Sequence, residues 1–217
     1  MLTLSIDTSS IVTSVALHDG VDVVQSVDET APHRHGELLA PAIDAMLRSA
    51  GVGPRALDRI AVGVGPGPFT GLRVGLMTAR ALGHALDIEV VGVGSLDAIA
   101  AQLAGQPLVV ATDARRREVY WATYGADGSR TAGPAVDTPV DVARRLRESG
   151  FDGQVIGPGR DIYAEAFADF VTGPEVLASA AWVARLAAVG WTAASTAPLY
   201  LRRPDATAPG PRKTALL

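Results

Sequence analysis

An apolar strand ending in Asp, a polar turn, a second apolar strand and a glycine turn occur in that order twice in this chain. In the first copy Leu2, Leu4 and Ile6 share one face of a strand that stops at Asp7. Asp7-Thr8-Ser9-Ser10 makes the turn, Thr13 to Leu17 is the second strand, and His18-Asp19-Gly20 closes the unit. The second copy runs Leu108 to Asp113, turns through Ala114-Arg115-Arg116-Arg117, and continues from Glu118 to Tyr124 into Gly125-Ala126-Asp127-Gly128. Asp-Gly favours the positive-φ corner of a tight hairpin, and strands joined by a tight turn pair antiparallel. The chain between the two copies is long enough for one domain. An internal duplication is predicted, with its boundary at the polar breaker Gly105-Gln106-Pro107. The expected division is residues 1–105, residues 106–205, whose last helix is expected to pack back on the first domain, and a flexible tail, 206–217, rich in Pro and Ala.

Outside the duplicated strands the period changes. Val21 to Val27 still reads as a third, antiparallel strand. From His35 onward, Leu38, Leu39, Ala42, Ile43, Met46 and Leu47 fit one face of a helix that ends at Gly51. A buried strand at Ile60 to Val64, a helix from Thr70 to Leu86 and a short strand at Val90 to Val93 follow. Thr70 is the expected cap of that helix, and Ser95 the cap of a helix running through Ala101. In the second half a helix is expected near Val140 to Ser149, a strand at Gln154 to Ile156 and a last helix over Ala178 to Ala188. Three antiparallel strands followed by helix, strand, helix and strand describe a ribonuclease-H-like α/β unit. Two in tandem describe the architecture of the actin, Hsp70 and sugar-kinase (ASKHA) superfamily. A plain doubly wound sheet would not open with consecutive hairpins.

Composition removes several functions. The chain has no cysteine, which excludes disulfides, thiolate zinc sites and thiolate catalysis. Its net charge of −4 disfavours a general nucleic-acid binder. No signal peptide or membrane-length apolar run is legible, so a cytoplasmic protein is expected, with no membrane partner.

Three segments carry candidate chemistry. Asp7-Thr8-Ser9 places a carboxylate beside hydroxyls and amides, which suits magnesium or phosphate; it equally suits an Asx turn closed on its own backbone. The segment Gly63-Val64-Gly65-Pro66-Gly67-Pro68-Phe69-Thr70-Gly71-Leu72-Arg73-Val74-Gly75 brings backbone close to a phosphate, another loop or a second chain. It fails the Rossmann spacing and has no Walker lysine, which leaves Gly65 and Gly67 as weak nucleotide candidates beside Asp7, Thr8 and Ser9. Gly71, Gly75 and Ala79 line one smooth helix face, fit for a tight crossing inside the domain or across a subunit interface. Arg115 to Arg117 with Tyr120 and Trp121 could touch RNA, or form a solvated hairpin turn. No nucleophile elbow, Ser-His-Asp grouping or His-x-x-x-His pair is legible.

Leu4-Ser5-Ile6-Asp7-Thr8-Ser9, the glycine segment, Asp113 to Tyr120, His35-Gly36-Glu37-Leu38-Leu39 and Pro198-Leu199-Tyr200-Leu201-Arg202 together resemble the bacterial TsaB family over nearly the whole chain. The family usually has Ser where Pro68 stands and a small residue where Arg117 stands. The resemblance implies a non-catalytic relative of TsaD, the enzyme that transfers a threonylcarbamoyl group to adenosine in tRNA. TsaD holds its metal with a His-Leu-Glu-Ala-His segment, and here that segment reads Ser95-Leu96-Asp97-Ala98-Ile99. Isoleucine cannot ligate a metal, and one serine is a poor replacement. The implied role is a scaffold for TsaD and the ATPase TsaE, with no cofactor of its own. ATP, ADP and Mg would be bound mainly by the partners, and tRNA met only through the complex. The same surface would form a homodimer in isolation. The expected interface comprises His35, Leu38, Leu39, Ile43, Thr70, Gly71, Val74, Gly75, Thr78, Ala79 and Leu82. On that expectation, Trp at Gly75 or Ala79 weakens assembly and spares the fold. An active kinase or ATPase of the same architecture is the alternative.

Overall fold

The computed structural model describes residues 1–202, and the tail expected from Ala206 lies outside them. The first half runs β1 (Thr3–Asp7), β2 (Val12–His18), β3 (Val23–Thr30), α1 (His35–Ser49), β4 (Arg59–Gly63), α2 (Phe69–Leu86), β5 (Glu89–Val93) and α3 (Ser95–Ala100). The second runs β6 (Leu108–Asp113), β7 (Val119–Tyr124), β8 (Arg130–Asp137), α4 (Pro139–Glu148), β9 (Gln154–Ile156), α5 (Gly159–Ile162), β10 (Val171–Thr172) and α6 (Ala180–Ala188). They form two five-stranded sheets, ordered β3-β2-β1-β4-β5 and β10-β9-β6-β7-β8. In each, the hairpin strands pair antiparallel and the later strands add in parallel to the first one. The duplication is thus a duplication of topology, and the chain is a two-domain α/β protein of the ASKHA type.

Strand alternation decides what each face of the first sheet accepts. Leu4, Ile6, Val15, Leu17 and Val62 point to one side and pack with Leu39, Ile43, Met46, Leu72 and Leu76 of α1 and α2. The opposite side carries small residues, Ser5, Ser14, Ala16 and Ala61, all buried. Their size admits α6, which packs across β1, β2 and β4. The Ser14 hydroxyl accepts from Ala180 N at 2.7 Å, and the Ser5 hydroxyl donates to Ala180 O at 2.7 Å. So the last helix of the second half covers the sheet of the first. In exchange α3 of the first half puts Leu96, Ile99 and Ala100 against Leu108, Tyr120 and Tyr124 of the second sheet. The Tyr124 hydroxyl donates to Asp97 at 2.7 Å, and Arg130 pairs with the same carboxylate at 3.4 Å.

Several local expectations differ from the structure. The third strand runs on to Thr30 and not to Val27. Pro68 and not Thr70 precedes α2; Gly94 and not Ser95 precedes α3. The strand β8, the single-turn α5 and the two-residue β10 are elements that the sequence did not announce. β8 has a Gly-Pro step at Gly133-Pro134 and an exposed to half-buried surface, so it lacks the apolar alternation that marks its neighbours. Its place in the sheet comes from pairing with β7.

Candidate functional site: the glycine clasp and the inter-sheet cleft

The glycine segment and the Asp7-Thr8-Ser9 turn are one packed unit. Gly63, Gly67, Gly71 and Gly75 each face that turn. A Cβ on Gly63 would overlap a carboxylate oxygen of Asp7, and one on Gly67 would overlap the Ser9 carbonyl. At Gly71 it would meet the Thr8 carbonyl at 2.6 Å, and at Gly75 the Thr8 hydroxyl at 2.5 Å. The Thr8 hydroxyl donates to Gly71 O at 2.7 Å and accepts from Gly75 N at 3.1 Å, tying the turn to the first two turns of α2. Gly65, at φ 95°, makes the bend that redirects the chain, in a backbone region open to glycine. Of the three candidates for what this backbone approaches, the occupant is another loop of the same chain.

Asp7 is fully buried. One of its oxygens accepts from Ser9 N at 2.8 Å and from the Ser9 hydroxyl at 2.6 Å, which is an Asx turn. The other accepts from the Ser95 hydroxyl at 2.8 Å, and that hydroxyl accepts in turn from Gly65 N at 3.1 Å. Ser95 therefore holds the Asp turn and the glycine loop together; it does not cap α3. Desolvation pushes the Asp7 carboxyl above the usual carboxylate range, and the hydrogen bonds from Ser9 and Ser95 offset this only in part. The folded state then binds more protons than the unfolded chain at pH values between about 3.8 and that raised value. The Asp7 contribution to stability grows as pH falls through this window and is least favourable at neutral pH. Asp7→Asn keeps the acceptor for Ser9 and removes the buried charge. Its amide nitrogen would face the Ser95 hydroxyl, which loses its acceptor, so the variant is expected to give up that bond and to remove this part of the pH dependence. Thermal unfolding across pH 4 to 8 checks it; a pH dependence unchanged from wild type would contradict it.

His35 opens α1 beside the same unit. Its Nδ1 lies 2.8 Å from the Thr13 hydroxyl, and its ring packs on Gly71. Burial lowers its pKa below the ordinary histidine value.

Of the eleven residues expected at a partner interface, His35, Leu39, Ile43, Gly71, Gly75 and Ala79 are buried within the chain's own core. This argues against a direct partner contact for Leu39, Gly75 and Ala79, enclosed by β1 and the helices, whereas His35 and Gly71 still line one surface pocket and Ile43 another. The small-residue stripe of α2 exists to let the helix lie against β1. Leu38, Val74, Thr78 and Leu82 are half-buried along the seam between α1 and α2, and Thr70 is exposed. A shallow apolar groove of about 220 Å³ runs beside this seam, lined by Ala40, Ile43, Leu47, Thr78, Leu82 and Leu86.

Between the two hairpin turns lies a cleft of about 340 Å³. Of the nucleotide candidates only Ser9 and Gly67 reach its wall; Asp7, Thr8 and Gly65 lie behind it. The second half supplies Asp113, Arg115 and Tyr120. Asp113 repeats the role of Asp7: it accepts from Arg115 N at 2.9 Å, and its carboxylate pairs with the Arg115 guanidinium at 3.4 Å. Arg115, Arg116 and Arg117 all have positive φ, 62°, 55° and 62°, a left-handed turn that nothing in the residue types foretold.

The segment that ends in Pro198-Leu199-Tyr200-Leu201-Arg202 forms a strap over the first domain. Ala193 N donates to Gly92 O at 2.7 Å and Leu199 N to Val64 O at 2.8 Å. Tyr200 stacks on Phe69 with ring centroids 4.9 Å apart and accepts from Arg73 Nε at 2.9 Å. Arg202 then crosses to the other hairpin turn, donating to Ala114 O at 2.9 Å and pairing with Glu118.

Residues 22–206 match the family model described as TsaD, tRNA N6-adenosine threonylcarbamoyltransferase. The chain is 46% identical over 208 residues to an uncharacterised protein of Mycobacterium tuberculosis, covering 94% of this chain and 92% of that one. It is 32% identical over 170 residues to the tRNA threonylcarbamoyladenosine biosynthesis protein TsaB of Escherichia coli, covering 73% of this chain and 72% of the relative. The solved structure of YeaZ from Pseudomonas aeruginosa superposes with a TM-score of 0.77 at 29% identity, over 92% of this chain and 99% of that one. With the paired hairpins, the glycine clasp and the PLYLR strap all in place, and relatives of that name matched over most of its length, the chain belongs to the TsaB family.

Proposed function

We propose that this protein is a non-catalytic scaffold subunit needed to form N6-threonylcarbamoyladenosine in tRNA, supporting the transferase TsaD and the ATPase TsaE in the cytoplasm. The observation that carries this reading is the engagement of the groups that would otherwise do chemistry. The Ser95 hydroxyl, at a position where TsaD has a metal-binding histidine, is held between Asp7 and Gly65 N, and Ile99 is packed in the core of the second sheet. Both hairpin turns direct their amides onto their own aspartates, Ser9 N to Asp7 and Arg115 N to Asp113. A phosphate would have to displace those bonds, which speaks against the kinase or ATPase alternative and supports the reading that ATP, ADP and Mg are bound mainly by partner subunits.

The partner surface in this reading is the seam of α1 and α2, at Leu38, Val74, Thr78 and Leu82. It is half-buried and apolar and flanks a ready groove, as the core of an interface should be. The same seam would serve the homodimer of the isolated chain. Threonylcarbamoyl transfer to tRNA, reconstituted with the cognate TsaD, TsaE and adenylate-forming enzyme, tests the role. Transfer is expected only when this chain is added, with none by the chain alone. Full transfer in its absence would overturn the assignment.

A further inference from the structure

The inter-sheet cleft keeps features that scaffolding does not use. Tyr120 lies on β7 with 9% of its surface exposed, and it lines the cleft. Among the described residues its hydroxyl has no hydrogen-bond partner, although the Asp113 carboxylate is near enough to raise its pKa along with burial. The ring is buried, but the hydroxyl is not enclosed: it opens onto the cleft and presents a hydrogen-bond donor there. The wall around it is mostly apolar, with Ile11, Pro66, Pro68, Ile99, Ile162 and Leu177. Three carboxylates, Asp113, Asp161 and Glu175, stand at the cleft; Asp113 is paired with Arg115 and Asp161 with Arg160. Glu175 has no ion-pair partner among the described residues and sits at the exposed rim. A cavity of this size, mainly apolar with a few convergent polar groups, has the make-up of a small-molecule site.

We propose that this cleft binds a small non-phosphorylated organic molecule with an apolar body, a hydrogen-bond acceptor that takes the Tyr120 proton, and a basic nitrogen that faces Glu175. The apolar wall and the Glu175 carboxylate suit such a molecule better than a polyphosphate. The site goes beyond the scaffold role, and its test needs no transferase assay.

The probe is 4-(aminomethyl)benzamide, which has all three features, titrated into the full chain and followed by amide chemical shifts. Saturable binding in the millimolar range is expected for a ligand this small. Tyr120→Phe should weaken it about fivefold to tenfold with the fold unchanged. Glu175→Gln should weaken it about threefold, an effect that disappears in high salt. Mg-ADP should not compete. The inference is overturned if the probe does not saturate, if both variants bind as the wild type does, or if Mg-ADP displaces the probe.

Discussion

Gly63→Ala is expected to destabilise the protein by about 3–5 kcal/mol and to lower its melting temperature by roughly 10 °C. The new methyl would overlap the Asp7 carboxylate oxygen that receives the Ser95 hydroxyl. Neither side can yield cheaply. Gly63 ends β4, and Asp7 ends β1, the central strand and its parallel neighbour. Moving the carboxylate breaks its bonds to Ser9 and Ser95 and leaves a buried charge without donors. Calorimetric or circular-dichroism melting measures the effect. Adding Asp7→Ala should cost less in the Gly63→Ala background than in the wild type, because the two substitutions share one clash. A melting temperature within about 1 °C of wild type would mean that the clasp is looser than its geometry.

The second large effect separates fold from assembly along α2. Gly75→Leu is expected to unfold or aggregate the chain, because its side chain would enter the space of the Thr8 hydroxyl and Ile6. The loss includes the bonds from Thr8 to Gly71 O and from Gly75 N to Thr8, so about 3 kcal/mol or more is at stake. Thr78→Arg, half-buried one turn further along the α1–α2 seam, is expected to keep a melting temperature near that of wild type and to abolish association. Melting and sedimentation velocity on the two variants read both properties. A folded, wild-type-like Gly75→Leu would restore the glycine stripe as a candidate docking face. Unchanged self-association and TsaD binding by Thr78→Arg would remove the seam from consideration.

These two variants mark where sequence reasoning succeeded and where it stopped. The periodicity of α2 and its smooth face were legible, since the spacing of Gly71, Gly75 and Ala79 is local. What that face meets was not legible. Thr8 and Gly71 are 63 residues apart, and no pattern within either segment says that they touch. The two motifs therefore looked like a nucleotide site and an interface, whereas they are the two halves of one internal contact. The expected caps failed for a similar reason. Ser95 has a capping side chain, but the buried Asp7 carboxylate and Gly65 N compete for it more strongly than the end of its own short helix.

By itself the sequence determined the elements whose signal is local: the paired hairpins, their terminal aspartates, the amphipathic α1 and α2, and hence the duplicated α/β architecture. Hydrophobic period and turn chemistry act within a few residues, so they survive in a one-dimensional reading. Tertiary structure alone decided the packing of α3 on the second sheet, the closing of four glycines on one turn, the left-handed Arg turn and the placing of Tyr120 in the cleft. Each depends on which distant surfaces are small enough, or polar enough, to meet. That is set by packing the whole chain at once.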